Sequence, residues 1–224
     1  MSTGTCDAFD STFSPWMIVL TILALPTIIW LVAYTLPQIW MAIRPVPDLK
    51  KRYNAKWALV TGGGSGIGRA LAFKLASQDL NVVVVSLDDD ALKNTMKDLK
   101  VTYPKLEFRS VPCVFSPGVK YMDKIKEATN DIQVPIVFNN AGFMVTGFLD
   151  QTATEKNLSN LECNATASVN IAQHFVQKLV SSKSKGCIVF TSSVAGFIPT
   201  PFASIYASTK AFVSQFACCL HIEV

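Results

Sequence analysis

The six cysteines of this chain make no framework. Cys6, Cys113, Cys163, Cys187, Cys218 and Cys219 follow no metal-ligand spacing and fall into no disulfide pattern, so a zinc module and a stapled secreted scaffold are both excluded. A reducing compartment fits them. Charge is scarce as well: Asp, Glu, Lys and Arg make up 16% of 224 residues and the formal net charge is only +4. The basic residues Arg44, Lys50, Lys51, Arg52 and Lys56, clustered in one short stretch, account for that excess and leave no stripe for nucleic acid. Between Ser11 and Ile43 there is no charged residue, and no Lys or Arg precedes that run.

Hydrophobic sequence fills the space. Half of the chain is apolar, and Trp16 to Leu36 is long enough to cross about 30 Å of hydrocarbon as one helix. Trp16 at one end, and Tyr34 and Trp40 at the other, suit the two interfaces, and Pro26 predicts a kink between them. Asp7 and Asp10 precede the run, which is too long for the apolar core of a cleavable signal peptide. The expectation is a single-pass anchor in the lipid bilayer. The basic cluster just after the span puts the rest of the chain in the cytoplasm. On that side the sequons at Asn157 and Asn164 stay unmodified. Three segments follow: a tail and anchor at 1–43 with the span at about 16–36, a Pro-containing basic linker at 44–55, and a domain at 56–224.

Within the domain the pattern alternates. Residues 57–61 read as a buried strand, Gly62 to Gly68 as a turn, and the stretch from Arg69 as a helix. Glycines at Gly62, Gly64, Gly66 and Gly68, with Ser65 and Ile67, let the backbone turn sharply and approach a pyrophosphate that meets the free N–H groups of the helix start. Residues 81–86 read as a second strand and 89–101 as a helix, completing a βαβ unit. The residue closing that second strand reads the adenosine ribose. Asp88, Asp89 and Asp90 just after it repel an extra phosphate if they point inward, while Asp88 equally reads as the cap of the next helix, and both readings stand. Strands at 106–111, 134–138 and 186–191 and helices at 118–129, about 154–180 and beyond 204 continue the series. The fold class is therefore α/β, a doubly wound parallel sheet of Rossmann type. Ligands bind beyond the carboxyl ends of such strands, where Gly62 to Gly68, Asn139-Asn-Ala141-Gly142 and Ser192-Ser193 all fall.

Tyr206 and Lys210 stand four apart on a helix, one turn from each other on one face. A phenol titrates near pH ~10, so it exchanges protons near neutrality only where something such as an ammonium stabilises the phenolate. Ser193, thirteen residues before Tyr206, offers a neutral hydrogen bond to a substrate oxygen.

Taken in order and spacing, Thr61-Gly-Gly-Gly-Ser-Gly-Ile-Gly68, Asn139-Asn-Ala-Gly142, Ser193 and Tyr206-x-x-x-Lys210 resemble the short-chain dehydrogenase/reductase family from about Lys56 to Val224. The resemblance implies a nicotinamide cofactor, Tyr206 as general acid in reduction, Lys210 beside it and on the nicotinamide ribose, and Ser193 polarising a carbonyl. It also implies an asparagine holding a water in a proton relay, a role that falls to Asn164, whose plain alternative is an ordinary helix residue. Ile205-Tyr-Ala-Ser-Thr-Lys-Ala-Phe-Val213 is similar to the endoplasmic-reticulum membrane branch with very-long-chain 3-oxoacyl-CoA reductases and 17-beta-hydroxysteroid dehydrogenases. That branch favours NADP(H), whereas Asp88 allows NAD(H). The expected substrate is a lipophilic carbonyl compound or alcohol. A steroid or retinoid dehydrogenase working in oxidation, or a noncatalytic nucleotide-binding scaffold, is the alternative. Two helices, from Thr154 and from Ser204, pair subunits into homodimers in such relatives.

Two departures stand out. Cys113 or Val114 occupies the place of the family's adenine-contacting aspartate. The chain also stops at His221-Ile-Glu-Val224, inside the helix that carries Tyr206, so this reading takes it as C-terminally incomplete and expects it to aggregate or fail to turn over by itself.

Overall fold

The computed structural model describes residues 14–224. Expectations that rest on Cys6, Asp7 and Asp10 lie outside the described residues. The described residues fall into two compact units, one that ends at Pro47 and one that spans Asp48–Val224.

In the first unit α1 (Pro15–Ile43) is one helix of 29 residues that runs on through Pro26 and Pro37, past the Leu36 end expected for the span. Its most apolar 18-residue window has a mean hydropathy of 2.3 and no buried residue. The hydroxyls of Thr21, Thr27 and Thr35 donate to the carbonyls of Met17, Leu23 and Leu31, so the polar side chains are satisfied within the helix itself. By length and composition this helix can cross a membrane.

The second unit begins earlier than the sequence implies. The 44–55 segment is not a linker throughout: Leu49–Arg52 form α2, capped by Asp48 through Lys51 N. Leu49 and Tyr53 pack on the core and Ala55 is buried. The sheet is five-stranded and all parallel, β1 (Trp57–Thr61), β2 (Asn81–Ser86), β3 (Phe108–Pro112), β4 (Ile136–Asn139) and β5 (Cys187–Phe190), in the order β3-β2-β1-β4-β5. Leu59, Val83 and Val137 share a register row and one face; Ala58, Val82 and Ile136 share the neighbouring row and the other. Helices α5 (Tyr121–Ala128) and α7 (Ala167–Ser181) cover the first face through Ile125, Ile171 and Phe175, and α3 (Gly66–Ala76) and α4 (Asp90–Thr102) cover the second through Leu75 and Leu99. Burial of each such side chain contributes about 1.5–3 kcal/mol. Because both faces are covered, the central strands are continuous apolar runs rather than alternating ones.

One expected helix is broken in a way that matters. The stretch read as 154–180 consists of α6 (Thr154–Leu161), a five-residue π turn at Glu162–Thr166, and α7. The π turn widens the helix at Asn164, whose amide is drawn out to the backbone of Phe143. After β5 comes a 3-10 turn at Val194–Gly196 and then α8 (Ser204–Glu223). From β1 the chain builds outward through β2 to β3, then crosses back to β4 on the other side of β1. This reversal opens a crevice beyond the carboxyl ends of the strands.

Candidate active site

The crevice has a volume of about 860 Å³. Its floor starts at Thr61, the buried last residue of β1, whose Oγ accepts from the backbone N–H groups of Asn140 and Ala141 at 3.0 and 2.9 Å. Asn140 returns the tie, donating Nδ2 to Thr61 O at 3.1 Å and accepting from Thr191 Oγ1 at 3.2 Å. Three strand ends are thereby laced together. The two adjacent asparagines part company here: Asn140 lines the crevice, while Asn139, the residue expected from the sequence, is 3% exposed and turned toward Ser168. Its Oδ1 is left without a partner.

Gly62, Ser65, Gly66, Ile67 and Gly68 line the wall above β1. Gly66 has φ +53 and nothing within 4 Å of where a Cβ would stand, so the left-handed turn opens on free space. Gly68 is the opposite case. A Cβ there would overlap the Gly62 carbonyl, so only glycine lets α3 start this close to the strand end. Gly64 does not line the crevice; its carbonyl accepts from Thr95 Oγ1 at 2.9 Å and holds the turn against α4. The Ser65 side chain makes no cap bond and the first turn of α3 has no acid, so the helix start presents its N–H groups and positive dipole end bare. This cradle fits a dinucleotide pyrophosphate.

At the β2 end the lining residues are Ser86, Leu87 and Asp89, faced by Cys113, Val114, Phe115 and Ser116 after β3. Asp88 corrects the reading from the sequence twice. It does not line the crevice, and the cap of α4 is Asp89, whose Oδ1 accepts from Leu92 N at 2.9 Å. The Cys113 thiol is pushed up to about 11 by burial, as is Cys163 on the π turn.

Tyr206 and Lys210 face the crevice from α8, with Ser193 and Ser192 beside them at the end of β5 and Ala141 and Gly142 opposite. Lys210 is 4% exposed as a residue, and its ammonium lies 5.7 Å from the centre of the Tyr206 ring and donates to Thr191 O at 2.7 Å. No ion pair among the described residues involves it, and burial pulls its pKa below the ordinary lysine value. A buried cation with a single carbonyl partner is an unfinished site. It has donors to spare for hydroxyl groups and a charge to spare for a phenolate. The two serines divide their work. Ser192 Oγ donates to Lys210 O at 3.0 Å and meets Ser214 Oγ at 2.6 Å, tying β5 to α8. Ser193 Oγ accepts from Ala195 N at 3.2 Å, which leaves its hydrogen to be donated elsewhere.

Asn164 stands behind the wall, 1% exposed and outside the lining. Its Oδ1 accepts from Phe143 N at 3.0 Å; its Nδ2 donates to Phe143 O at 2.9 Å and to Thr209 Oγ1 at 3.2 Å. The side chain braces the loop after β4 against α8. Such burial also makes Asn164 unreachable as a glycan acceptor. Thr61, Asn140, Thr191 and Thr209 are the site residues that sequence reasoning missed, and only the strand ends at 61, 140 and 191 gave a hint.

With this geometry in view, comparison with known proteins is direct. The family model for short chain dehydrogenase matches residues 56–224. Mouse 17-beta-hydroxysteroid dehydrogenase type 3 is 33% identical over 189 residues, 80% of this chain and 59% of that one. Mouse very-long-chain 3-oxoacyl-CoA reductase is 34% identical over 176 residues, 75% of this chain and 54% of that one. An inactive hydroxysteroid dehydrogenase-like protein 1 from Pongo abelii is 33% identical over 178 residues, 79% of this chain and 53% of that one. Among solved structures, a short-chain dehydrogenase from Sphingobium yanoikuyae in complex with NADPH superposes with a TM-score of 0.69 at 28% identity, over 75% of this chain and 65% of that one. The chain thus spans somewhat more than half the length of the curated relatives it matches. It belongs to the short-chain dehydrogenase family.

Proposed function

We propose that the whole protein is an oxidoreductase that interconverts a carbonyl and an alcohol on a lipophilic substrate with a nicotinamide dinucleotide. The observation that carries this reading is one crevice lined by a bare helix start at Ser65 to Gly68 and by Ser193, Tyr206 and the unpaired buried Lys210. The glycine turn and α3 hold the pyrophosphate, and Lys210 with the strand ends around Asn140 to Gly142 holds the nicotinamide half. When bound, the nicotinamide supplies or accepts the hydride. In reduction Tyr206 Oη gives its proton to the substrate oxygen while Ser193 Oγ donates a hydrogen bond to the same atom. The phenolate left on Tyr206 is stabilised by the Lys210 charge. Asn164 acts as a positioning residue that fixes Phe143 and α8. Asp88 keeps no role in this reading.

The lipophilic substrate rests on the apolar mouth. Phe143 and Met144 line it, and the nearby loops are clasped by Gly147 N on Phe202 O at 2.8 Å and by Phe148 packed edge-on to Phe202. The two mouse relatives named above carry steroid and acyl-CoA chemistry in their names, and a steroid or 3-oxoacyl-CoA carbonyl suits such a mouth. We place the protein in the endoplasmic reticulum membrane, crossing once at α1 with the catalytic unit cytoplasmic, on the strength of the basic residues after the helix. Pairing into a homodimer through the α6–α7 stretch and α8 fits the apolar groove formed there by Leu161, Val169, Ile205 and Phe212.

The test is turnover of the full-length protein against Tyr206→Phe, with ketosteroid and 3-oxoacyl-CoA substrates. The variant is expected to lose about 10²–10⁴-fold in rate with cofactor affinity unchanged. Equal, measurable rates would remove Tyr206 as the proton donor, and no turnover in either protein would transfer the assignment to a noncatalytic scaffold, the reading the inactive relative favours.

A further inference from the structure

We infer that the end of the second unit opposite the crevice is a docking surface for the anionic headgroups of a lipid bilayer. The inference rests on the proposed crossing of the membrane at α1. In sequence α2 follows that helix after only five residues, 44–48, a tether of about 20 Å at full extension. The first basic residues of the second unit are therefore leashed to whatever membrane α1 crosses.

Crossover helices run opposite to parallel strands, so this end gathers the starts of the strands and the last turns of α3, α4, α5 and α7. Each of those turns has a lysine, Lys74, Lys100, Lys126 and Lys178, and a lysine there complements the helix dipole without any ligand. The cations outside these helices need another explanation. Lys50, Lys51 and Arg52 on α2, Lys56 before β1, and Lys183 and Lys185 before β5 are all exposed, and of these only Lys51 forms an ion pair among the described residues, with Asp48 at 3.6 Å. Leu49 and Tyr53 pack on the core and Leu49 N donates to Gln78 Oε1 at 3.0 Å, so the α2 cations stand on a fixed element rather than a loose tail. Arg52, Lys183 and Lys185 line one groove of about 820 Å³, and no Asp or Glu lines it. Two segments far apart in sequence thus form one basic patch. The acids of this end, Asp48, Asp79, Glu107, Glu127, Asp131 and Glu223, are outnumbered, and Asp131 is taken up by Arg109 at 2.6 Å. At the crevice end Arg69, Lys93, Lys120, Lys124, Lys156 and Lys210 are offset by at least as many acids, Asp88, Asp89 and Asp90 after β2 among them. An anionic surface therefore attracts one end of the unit and not the other, and docking there leaves the crevice uncovered.

The experiment is amide hydrogen exchange on full-length protein reconstituted in nanodiscs of phosphatidylcholine alone or with about 30% phosphatidylserine. Residues 181–186, remote in sequence from α1, are expected to exchange about tenfold or more slowly in the anionic discs only. The slowing is expected to vanish in about 0.5 M NaCl, where the Debye length falls to about 4 Å. Each Lys or Arg near an anionic surface strengthens contact roughly fivefold, so Lys183→Gln with Lys185→Gln should weaken it about 25-fold and abolish the slowing, with exchange in neutral discs unchanged. Equal exchange in the two kinds of disc, or slowing that survives the salt or the double substitution, overturns the docking surface and leaves the anchor standing. The same slowing produced in neutral discs by inorganic phosphate or by a single-stranded RNA overturns the lipid as its partner. Protein that alkaline carbonate strips from the bilayer overturns the anchor, and the docking with it.

Discussion

Replacing Lys210 with methionine should make the protein more stable and blind to its cofactor. The side chain is 4% exposed, forms no ion pair among the described residues and spends its charge on one carbonyl, Thr191 O at 2.7 Å. Taking an ammonium out of water costs several kcal/mol after relaxation, and one charge-assisted hydrogen bond returns about 1.5–3 kcal/mol. The deficit in the empty protein is then on the order of 1–2 kcal/mol. Methionine matches the stem in volume, and the Thr191 carbonyl, facing the crevice, takes a water instead. Urea denaturation should show the variant stabilised by about 1–2 kcal/mol, and thermal melting should rise by about 2–8 °C for a unit of this size. Dinucleotide affinity should fall about 10- to 100-fold because the ribose hydroxyls lose their charged donor. The pH dependence has a definite sign. The folded pKa lies below the ordinary lysine value, so between the two the unfolded chain binds more protons and stability increases with pH. The gap between the two proteins is therefore full at neutral pH and closes as pH rises through the folded pKa toward 10.5. A variant that is destabilised, or that keeps its affinity for the dinucleotide, refutes the reasoning.

Gly68→Ala forces a Cβ into the Gly62 carbonyl and should cost about 1–3 kcal/mol or more together with dinucleotide binding. Gly66→Ala meets nothing within 4 Å and should cost only the left-handed backbone term of about 1–2 kcal/mol; equal losses in urea titrations would count against the close-packing argument. Asn164→Ala strips Phe143 N of its partner, while Phe143 O keeps Asn160 Nδ2 at 2.6 Å, and at about 1–3 kcal/mol for one unsatisfied group the protein should lose about that much, measured by denaturation, with the loop after β4 loosened. The Cys163 thiol, pushed up to about 11 from 9.0, should carry about 100-fold less thiolate at neutral pH and alkylate far more slowly than the exposed Cys218 and Cys219. Peptide mapping after brief iodoacetamide treatment checks this, and labelling of Cys163 alongside Cys218 would sink it.

Much of this molecule was legible before folding. Apolar runs of strand length, glycines between strand and helix, and a tyrosine one helical turn from a lysine reflect local rules, and local rules act on neighbours in sequence. They determined the α/β alternation, the parallel sheet, the strand ends on which the site is built and the long apolar helix at the start. The choice within each pair of adjacent residues was not decided there. Asn139 or Asn140, Asp88 or Asp89: in each pair both members carry the right chemistry, and a step of one residue along extended backbone sends the side chain to the opposite side. Only the lacing of Thr61 to Asn140 and Thr191 and the cap that Asp89 forms on α4 settle which one faces the crevice. The lacing joins residues 51 and 79 positions apart in the chain, and nothing in a short stretch of sequence encodes it.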